Sequence, residues 1–278
     1  PEKVYVTVRQ AGDSDATNEP IATTLERATS ETGWYGLALV GFNEGTDTKA
    51  AATWAEANNK LFGFSWTGSE IPVDITSYNR TFAMYYTGKE ENTDAKYSAL
   101  ALMAKCFGYD PGSVNWYYRT LSGISASNLT NAKIAELNKV PSGYYITVGG
   151  KDIVMGAKVG TGEWIDIIRL RDWLISEIRD NVFSYLVASK KVPYTDKGIT
   201  GIQNRIEEVL RTAQKNGAID NDITDENGNK TKGYEVIVPR ASSISKAEKK
   251  SRILRNVTFT ARLTGAINLA YIKGTLTY

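Results

Sequence analysis

Histidine, the side chain that most often moves protons near neutral pH, is absent from this chain of 278 residues. Without it the chain cannot build a Ser-His-Asp or Cys-His nucleophile, and the imidazole ligands of many metal sites are missing too. Enzymes without histidine exist, but the composition disfavours hydrolytic and metal-dependent chemistry. We therefore expect no catalytic residue, no metal site and no bound cofactor.

The single cysteine, Cys106, is the next candidate for chemistry. It falls in the apolar stripe of a predicted helix, where a thiol behaves as a small hydrophobic side chain. One cysteine also excludes an internal disulfide. We predict that Cys106 is buried and inert rather than a nucleophile.

The sequence Gly160-Thr-Gly162 carries two of the three glycines of a dinucleotide-binding fingerprint. Ile165 occupies the position of the third glycine, and Glu163 would repel a pyrophosphate. These glycines therefore favour a turn that leads into a helix rather than a nucleotide site.

The acidic stretch over residues 220–229 has the composition of a calcium loop but not its spacing. In the register that starts at Asp225, Lys230 stands where the loop needs glycine, and Val236 stands where it needs a bidentate Glu. An exposed hairpin loop with its turn at Asn227-Gly228 fits better.

Three pairs of carboxylates could in principle share acid–base work. They are Asp13/Asp15, Glu90/Glu91 and Glu207/Glu208. All of them fall in polar loops or on helix surfaces, where nothing would desolvate a carboxyl group and raise its pKa.

The overall charge is balanced, with a net value of +2 and an isoelectric point near 8.5. This gives no electrostatic reason to expect nucleic-acid binding. The longest apolar runs, over residues 36–42 and 99–104, are far shorter than the roughly 20 residues that cross a bilayer. The chain begins at Pro1 and enters a predicted strand directly, so we expect that a natural N-terminal segment is missing.

The elements that would position any site alternate between strand and helix in the first half. The predicted strands cover residues 4–8, 36–40, 61–66 and 82–86, and the predicted helices cover 20–30, 48–60, 71–78 and 94–107. A further strand at 114–119, a helix at 131–138 and a hairpin of 144–148 with 151–158 follow. Such alternation predicts an α/β fold, a doubly wound and mostly parallel sheet with helices on both faces.

The second half predicts a smaller α+β domain. A long helix over 163–189 has apolar residues spread widely around its axis, so we expect it to be buried on more than one side. A break at 192–198 precedes a helix over 199–216, with Gly217 at its C-terminal cap. A polar loop, a strand at 233–238 and a charged segment at 242–250 follow. We predict two domains, residues 1–155 and 156–278.

The chain ends in two apolar strand-like segments. The first alternates along residues 256–264, and the second runs from 267 to 278 after Gly265-Ala266, with a phase slip near Gly274 that is typical of a bulge. Their apolar positions are Val257, Phe259, Ala261, Leu263, Ile267, Leu269, Ile272, Leu276 and Tyr278. Two interpretations remain open, a terminal hairpin of a monomer and a strand that pairs with a neighbouring subunit.

Basic residues on the long helix and after it could form a surface for an acidic partner or a solvated helix face. They are Arg169, Arg171, Arg179, Lys190 and Lys191.

Three motifs give this chain a family resemblance. Gly160-Thr-Gly-Glu-Trp-Ile-Asp166, Arg171-Asp-Trp-Leu174 and Val192-Pro-Tyr-Thr-Asp-Lys-Gly198 resemble the C-terminal region of contractile tail sheath proteins of myophages. The closing stretches 259–267 and 272–278 resemble the sheath ending, whereas 4–8, 82–87 and 94–107 fit more loosely. The resemblance covers most of the chain and is firmest over residues 145–278.

The resemblance implies a structural subunit of a virion tail sheath, assembled in the host cytoplasm. Such subunits stack as rings around a tail tube, exchange terminal strands and contract to drive the tube through the host envelope. The implied partners are other sheath subunits, the tube protein, and the baseplate and tail terminator proteins, with no nucleic acid and no membrane insertion. The terminal apolar residues would then pair between subunits, and the basic residues, with Arg252 and Arg255, would face the tube. A chain that lacks one donor arm is expected to be monomeric or to assemble poorly.

Two alternatives remain. One is an enzyme or binding protein with a small ligand at the strand-end loops 10–19, 42–46, 67–71 or 87–93. The other is a sheath homologue from a bacterial contractile injection machine.

Overall fold

The computed structural model describes residues 3–12, 18–30, 33–41, 45–87, 90–224, 226–271 and 273. The chain divides into two compact units, residues 1–110 with 114–169, and residues 111–113 with 170–278. The first unit extends past the boundary predicted between residues 155 and 156. The reason is that Val159, Ile165 and Ile168 are buried in the core of that unit.

The first unit contains a five-stranded sheet whose strands follow chain order. The first four strands are parallel, and the fifth is antiparallel to the fourth. The strands are β1 Gly36–Leu37, β2 Leu61–Trp66, β3 Thr81–Tyr85, β4 Ser142–Val148 and β5 Lys151–Met155. The predicted α/β fold with a mostly parallel sheet is therefore confirmed.

Helices pack on both faces of this sheet. One face carries α1 Ile21–Ala28, α2 Thr46–Ala57 and α4 Asn131–Leu137, and the other carries α3 Ser98–Cys106 and the first turn of α5 Ile165–Ala188. Buried side chains fill the space on each side, so the sheet has two hydrophobic cores.

Strand β2 shows how the sequence produces this arrangement. Its neighbouring side chains Leu61 and Phe62 point to opposite faces, and both are 0% exposed. A strand buried on both faces requires a nearly continuous apolar run, which β2 has. At Gly63 the missing Cβ leaves room for the ring of Phe82, which would lie 2.5 Å from that atom.

The glycines at 160 and 162 serve backbone packing. The Gly160 N–H donates to the carbonyl oxygen of Thr81 at 2.9 Å, and a Cβ at this position would collide with the carbonyl oxygen of Ile75. Gly162 has a φ of +87°, which a glycine adopts without strain. The predicted helix entry is confirmed.

Cys106 is fully buried in the core on the α3 side of the sheet. Burial raises the pKa of its thiol to about 12, so the reactive thiolate is suppressed at neutral pH. The prediction that Cys106 is buried in the core is confirmed.

The second unit is an α+β assembly. It contains the rest of α5, then α6 Asp196–Lys215, β6 Ile223–Thr224, β7 Lys230–Thr231, β8 Tyr234–Ile237, α7 Lys246–Ser251 and β9 Thr258–Ala261. Strands β6 and β7 form the predicted hairpin loop, and β8 pairs with β9. Two acidic side chains of this loop are engaged in protein contacts, since Asp222 accepts the N–H of Gly233 at 2.8 Å and Asp220 forms an ion pair with Arg262.

The break before α6 has a steric cause. The side chain of Thr195 caps the helix by accepting the N–H of Gly198 at 3.2 Å. A Cβ at Gly198 would approach the carbonyl oxygen of Pro193 to 2.1 Å, so only glycine allows this tight entry.

Three predicted elements are wrong. Residues 4–8 are extended but pair with no described strand, residues 71–78 form turns instead of a helix, and residues 114–119 form no strand. Residues 118 and 119 do exchange backbone hydrogen bonds with Val154 of β5, but Tyr118 has a φ of +61°, which interrupts an extended run.

Arg169 also departs from its prediction as an exposed, tube-facing residue, because it is only 9% exposed. Its guanidinium donates to the carbonyl oxygens of Cys106 at 2.9 Å and Tyr109 at 2.8 Å, and it lies 5.1 Å from the ring centre of Phe107. These carbonyls belong to the end of α3 and the turn that follows it. Arg169 therefore caps a helix and is not available to a partner.

We expect Arg169→Met to destabilise the first unit by about 2–4 kcal/mol, because two carbonyl groups lose their buried donor. Chemical denaturation followed by circular dichroism measures this change. The matched control is Arg179→Met, whose side chain is 71% exposed, and which should change stability by less than about 0.5 kcal/mol. Equal effects of the two substitutions would contradict the capping role.

Candidate strand-pairing site

The candidate site is the two-stranded antiparallel sheet of β8 and β9. Its register aligns Tyr234 with Ala261 and Val236 with Phe259. These residues share one face of the sheet, and Val236 is buried against α6 at 8% exposure. The sheet is therefore held on a helical layer by one face, while its other face is open to solvent.

The strand that contains β9 continues past Ala261 and pairs with the residues that follow α6. The Asp220 N–H donates to the Arg262 carbonyl oxygen at 2.8 Å, and the Thr264 N–H donates to the Ala218 carbonyl oxygen at 3.2 Å. Ile219 and Leu263 form the bridge between these two bonds. The whole stretch 258–264 is thus fixed along one of its edges.

An ion pair fixes the same end of the strand. The Arg262 Nε lies 2.9 Å from Asp220 Oδ2, and its guanidinium also donates to the carbonyl oxygens of Asn221 and Lys232. The hydrogen bond from Arg262, with the Asn221 N–H, holds the pKa of Asp220 below its ordinary value. This interaction is present at neutral pH and is lost as the carboxylate is protonated in acid.

The opposite edge of this strand is open. Alternate residues of a strand direct their N–H and C=O groups to opposite sides. Because Arg262 bonds Gly233 and Asp220 on one side, the backbone groups of Phe259, Ala261 and Leu263 point the other way. No backbone hydrogen bond joins these three residues to another residue that the structure describes.

The outer edge of β8 is open for the same geometric reason. The backbone groups of Tyr234 and Val236 point away from β9, and within the described ranges no backbone bond satisfies them. The small sheet therefore presents two edges to which a further strand can add.

The chain after Gly265 does not fold back as a hairpin. Residues 265–271 form no strand, and the alternating side chains of Ile267, Leu269 and Tyr271 are 87%, 66% and 93% exposed. The interpretation as a terminal hairpin is wrong over these residues. The predicted pairing residues Ile272, Leu276 and Tyr278 lie outside the described part of the chain.

The four predicted pairing residues upstream of the turn divide into two groups. Val257 and Ala261 are half-buried against the core beside α6. Phe259 and Leu263 are each 40% exposed, although both lie on the open edge. Phe259 and Ala261 lie in β9, Val257 directly precedes it, and Leu263 follows it in the bridge with Ile219.

Residues 3–8 form a second unpaired apolar segment that sequence reasoning assigned to the sheet of the first unit. Val4, Val6 and Val8 are 77%, 82% and 75% exposed. The sequence itself argued against a buried strand here. A strand buried on both faces is apolar throughout, whereas this segment includes Thr7 and lies between Lys3 and Arg9.

Except for Arg169, the predicted basic residues are partly or fully exposed. Arg171 and Arg179 form ion pairs with the adjacent Asp172 and Asp180, at 3.3 Å and 3.0 Å. The remaining four, Lys190, Lys191, Arg252 and Arg255, are exposed near the ends of α5 and α7.

The first part of helix α5 is buried on more than one side, as predicted, because Ile165 and Ile168 lie in one hydrophobic cluster and Leu170 and Leu174 lie in another. The remainder of the helix exposes an apolar stripe. The members of this stripe are Ile175, Phe183, Leu186 and Val187, which are 59%, 65%, 45% and 68% exposed. They share one face of the helix, and such a face is a candidate contact surface.

A cleft beside the strand-end loop 67–71 bears on the small-ligand alternative. It has a volume of about 430 Å³ and is lined by Trp66, Asp74 and Lys133 among others. Asp74 accepts hydrogen bonds from Thr76, and Lys133 lies 3.4 Å from Glu136, so each of these charged groups is engaged by a neighbouring residue.

Among the residues that the structure describes, no helix is long and apolar enough to span a membrane. In the same residues, no group of three or more carboxylate or thiol side chains is placed to hold a metal ion.

A family model matches the C-terminal part of the chain. Residues 165–276 match the model described as "E217 tail sheath protein gp31-like, C-terminal domain". No curated protein matches the chain.

Solved structures share the fold over nearly the whole chain. A chain of the anti-feeding prophage helical sheath in its contracted state is 15% identical with a TM-score of 0.72, covering 95% of this chain and 76% of its own. A chain in the anti-feeding prophage baseplate is 16% identical with a TM-score of 0.71, covering 93% and 73%. A sheath tail protein from Listeria innocua is 13% identical with a TM-score of 0.54, covering 87% and 59%.

These comparisons confirm the resemblance that the three motifs indicated. The chain has the fold of contractile sheath proteins, and its residues 165–276 match the family model of a tail sheath C-terminal domain.

Proposed function

We propose that this protein is a structural subunit of a contractile tail sheath that polymerises around a tube and contracts. The observation that carries the proposal is the combination of two open strand edges with two unpaired apolar segments in the same chain. Phe259, Ala261 and Leu263 mark one edge, and Ile267, Leu269 and Tyr271 mark a segment with the side-chain period of a strand.

The segment 265–271 of one copy adds to an open edge of another copy by β-augmentation. Each new backbone hydrogen bond contributes about 0.5–1.5 kcal/mol. Each large apolar side chain that is buried contributes about 1.5–3 kcal/mol. Ordering the segment costs about 1–2 kcal/mol per residue, so one joint is modest and a lattice of joints is stable.

The partners follow from this role. The similar chains come from a helical sheath and a baseplate, which supports contacts with further sheath subunits and with a baseplate. Contacts with a tail tube and a tail terminator, location in a virion and assembly in a host cytoplasm are further parts of the proposal. A sheath of a bacterial injection machine has the same physical requirements and stays the alternative.

The tube-facing surface is proposed on α5 and near α7. The apolar stripe with Phe183 and Val187 lies on the helix that also carries Arg179, and Lys190 and Lys191 follow its end. Arg171, Arg252 and Arg255 add positive charge. An acidic tube surface with apolar patches would complement this composition.

Replacing Ile267, Leu269 and Tyr271 together with serine should abolish sheath assembly and leave the subunit folded. These side chains are largely exposed, so their loss should change the free energy of unfolding by less than about 0.5 kcal/mol. Electron microscopy of the full-length subunit measures assembly, with Ala266→Ser/Ala270→Ser as the control. Normal tubes from the triple variant would contradict strand exchange by this segment.

The receiving edge has its own test in Ala261→Pro. The Ala261 N–H points away from β8, so proline removes no hydrogen bond inside the subunit but blocks an incoming strand. We expect a folded subunit, checked by thermal unfolding, that fails to assemble. Ala261→Ser keeps the N–H and should assemble; failure of both variants, or assembly of both, would argue against the edge as the receptor.

Reversing charge at Arg179, Lys190 and Lys191 with glutamate should weaken binding of the sheath to its tube, because attraction to an acidic surface becomes repulsion. Co-sedimentation of sheath and tube at low and high salt measures the effect. Arg205→Glu on α6 is the control, since Arg205 is also partly exposed. Unchanged co-sedimentation of the triple variant would remove these residues from the tube surface.

A further inference from the structure

Residues 8–10 are fixed at the base of the unpaired segment 3–8. The Glu19 N–H donates to the Gln10 carbonyl oxygen at 3.0 Å, and the Gln10 N–H donates to the Glu19 carboxylate at 3.2 Å. These two bonds join the chain on either side of residues 11–18. We call this junction the neck, and its residues are Val8, Arg9, Gln10, Glu19, Arg27 and Asp47.

An ionic cluster holds the neck against the first two helices. The Arg9 guanidinium lies 2.9 Å from Asp47 of α2 and also donates to the Glu19 carbonyl oxygen. Arg27 of α1 donates to the Glu19 carboxylate at 2.6 Å and to the Val8 carbonyl oxygen at 2.9 Å. Two arginines thus tie the extended chain to both helices.

The cluster is shielded from water more than an ordinary surface ion pair. The side chains of Glu19 and Asp47 are only 10% and 8% exposed. Several charge-assisted hydrogen bonds on the same carboxylate hold more strongly than a single exposed pair. Val8 is 75% exposed, and this cluster holds only its carbonyl oxygen. The fixed part of the chain therefore ends at Val8.

We infer that the neck is an ionic latch that sets how far the segment 3–8 reaches from the body of the subunit. With the latch shut, the residues from Val8 to Lys3 span at most about 20 Å. With the latch open, the first fixed residue is Ile21 at the start of α1, and the chain from Val8 to Ile21 adds at most about 45 Å.

This inference rests on the proposed function, in which the segment 3–8 reaches an open strand edge of a second copy. When a sheath contracts, neighbouring subunits change their separation. A joint that lengthens by opening an ionic cluster keeps its β-strand hydrogen bonds while the subunits move. The latch therefore lengthens the connection between two subunits while their strands stay paired.

Acid and salt should both open the latch. Partial desolvation acts to raise the pKa of Glu19, but hydrogen bonds from the Gln10 N–H and Thr24 and the charges of Arg27 and Arg9 outweigh it and lower the pKa. Because the pKa of Glu19 is lowered, its ionised carboxylate stabilises the shut state fully when the pH is above the ordinary pKa of 4.5. This stabilisation is lost as the pH falls below 4.5 and the carboxylate becomes protonated. High salt weakens the attraction of Arg9 and Arg27 for Glu19 and Asp47.

The test measures a distance in the isolated subunit. Spin labels at Thr7→Cys and at Thr23→Cys on α1 report the separation by pulsed electron paramagnetic resonance, while the buried Cys106 stays unlabelled. The shut latch gives one narrow distribution. We expect Glu19→Gln and Arg9→Ala each to raise the open fraction about tenfold, and the open form to give a broad distribution with a root-mean-square separation of about 20 Å.

The matched control is Glu136→Gln, which removes a carboxylate from an ion pair on α4 in the same unit and should leave the distribution narrow. Circular dichroism shows whether each variant is folded. A narrow distribution in both neck variants and in 1 M salt would overturn the latch. Because the measurement uses the isolated subunit, that result would not affect the proposed sheath role, and failure to form sheaths would not affect the latch.

Discussion

Half of the backbone N–H and C=O groups of an isolated two-stranded sheet point away from the pair, and each requires a partner or water. In this subunit those groups lie along the outer edges of β8 and β9, and no described residue forms a backbone hydrogen bond with them. Monomeric proteins blunt such edges with charge, proline or a covering loop. Here Phe259 and Leu263 leave one edge apolar, and this open edge is the one that we propose is completed by another chain.

The proposed strand exchange requires that the incomplete sheet be held in one geometry. Val236 packs on α6, and the Arg262–Asp220 ion pair fixes the end of β9 to the residues that follow that helix. A receiving edge held in one geometry spares an incoming strand part of the entropic cost of binding. The first unit has a similar requirement, and its sheet is filled on both faces by closely packed side chains such as Leu61 and Phe62.

The sequence predicted the elements in which a single period dominates. Strand β2 and helices α2, α4 and α6 appear where their apolar patterns placed them, since local burial and local propensity agree there. The prediction failed at residues 4–8 because no described strand pairs with that apolar segment. It failed at residues 71–78 because Val73 and Ile75 are buried in the core from turns rather than from a helix. The prediction for Arg169 was wrong for a different reason. A charged residue on a helix was expected to face solvent, but Arg169 caps α3.

The sequence by itself determined the parallel-rich α/β core, the helix entry at Gly160 and the loss of imidazole chemistry, because these depend on residue types and spacing within short windows. It also indicated strand exchange by residues 257–278 as one of two open interpretations. Only the tertiary structure decided that residues 265–271 leave the small sheet and that both of its edges are open. Hydrogen-bond pairing and burial depend on which distant segment occupies the neighbouring space, and no local window of sequence contains that information.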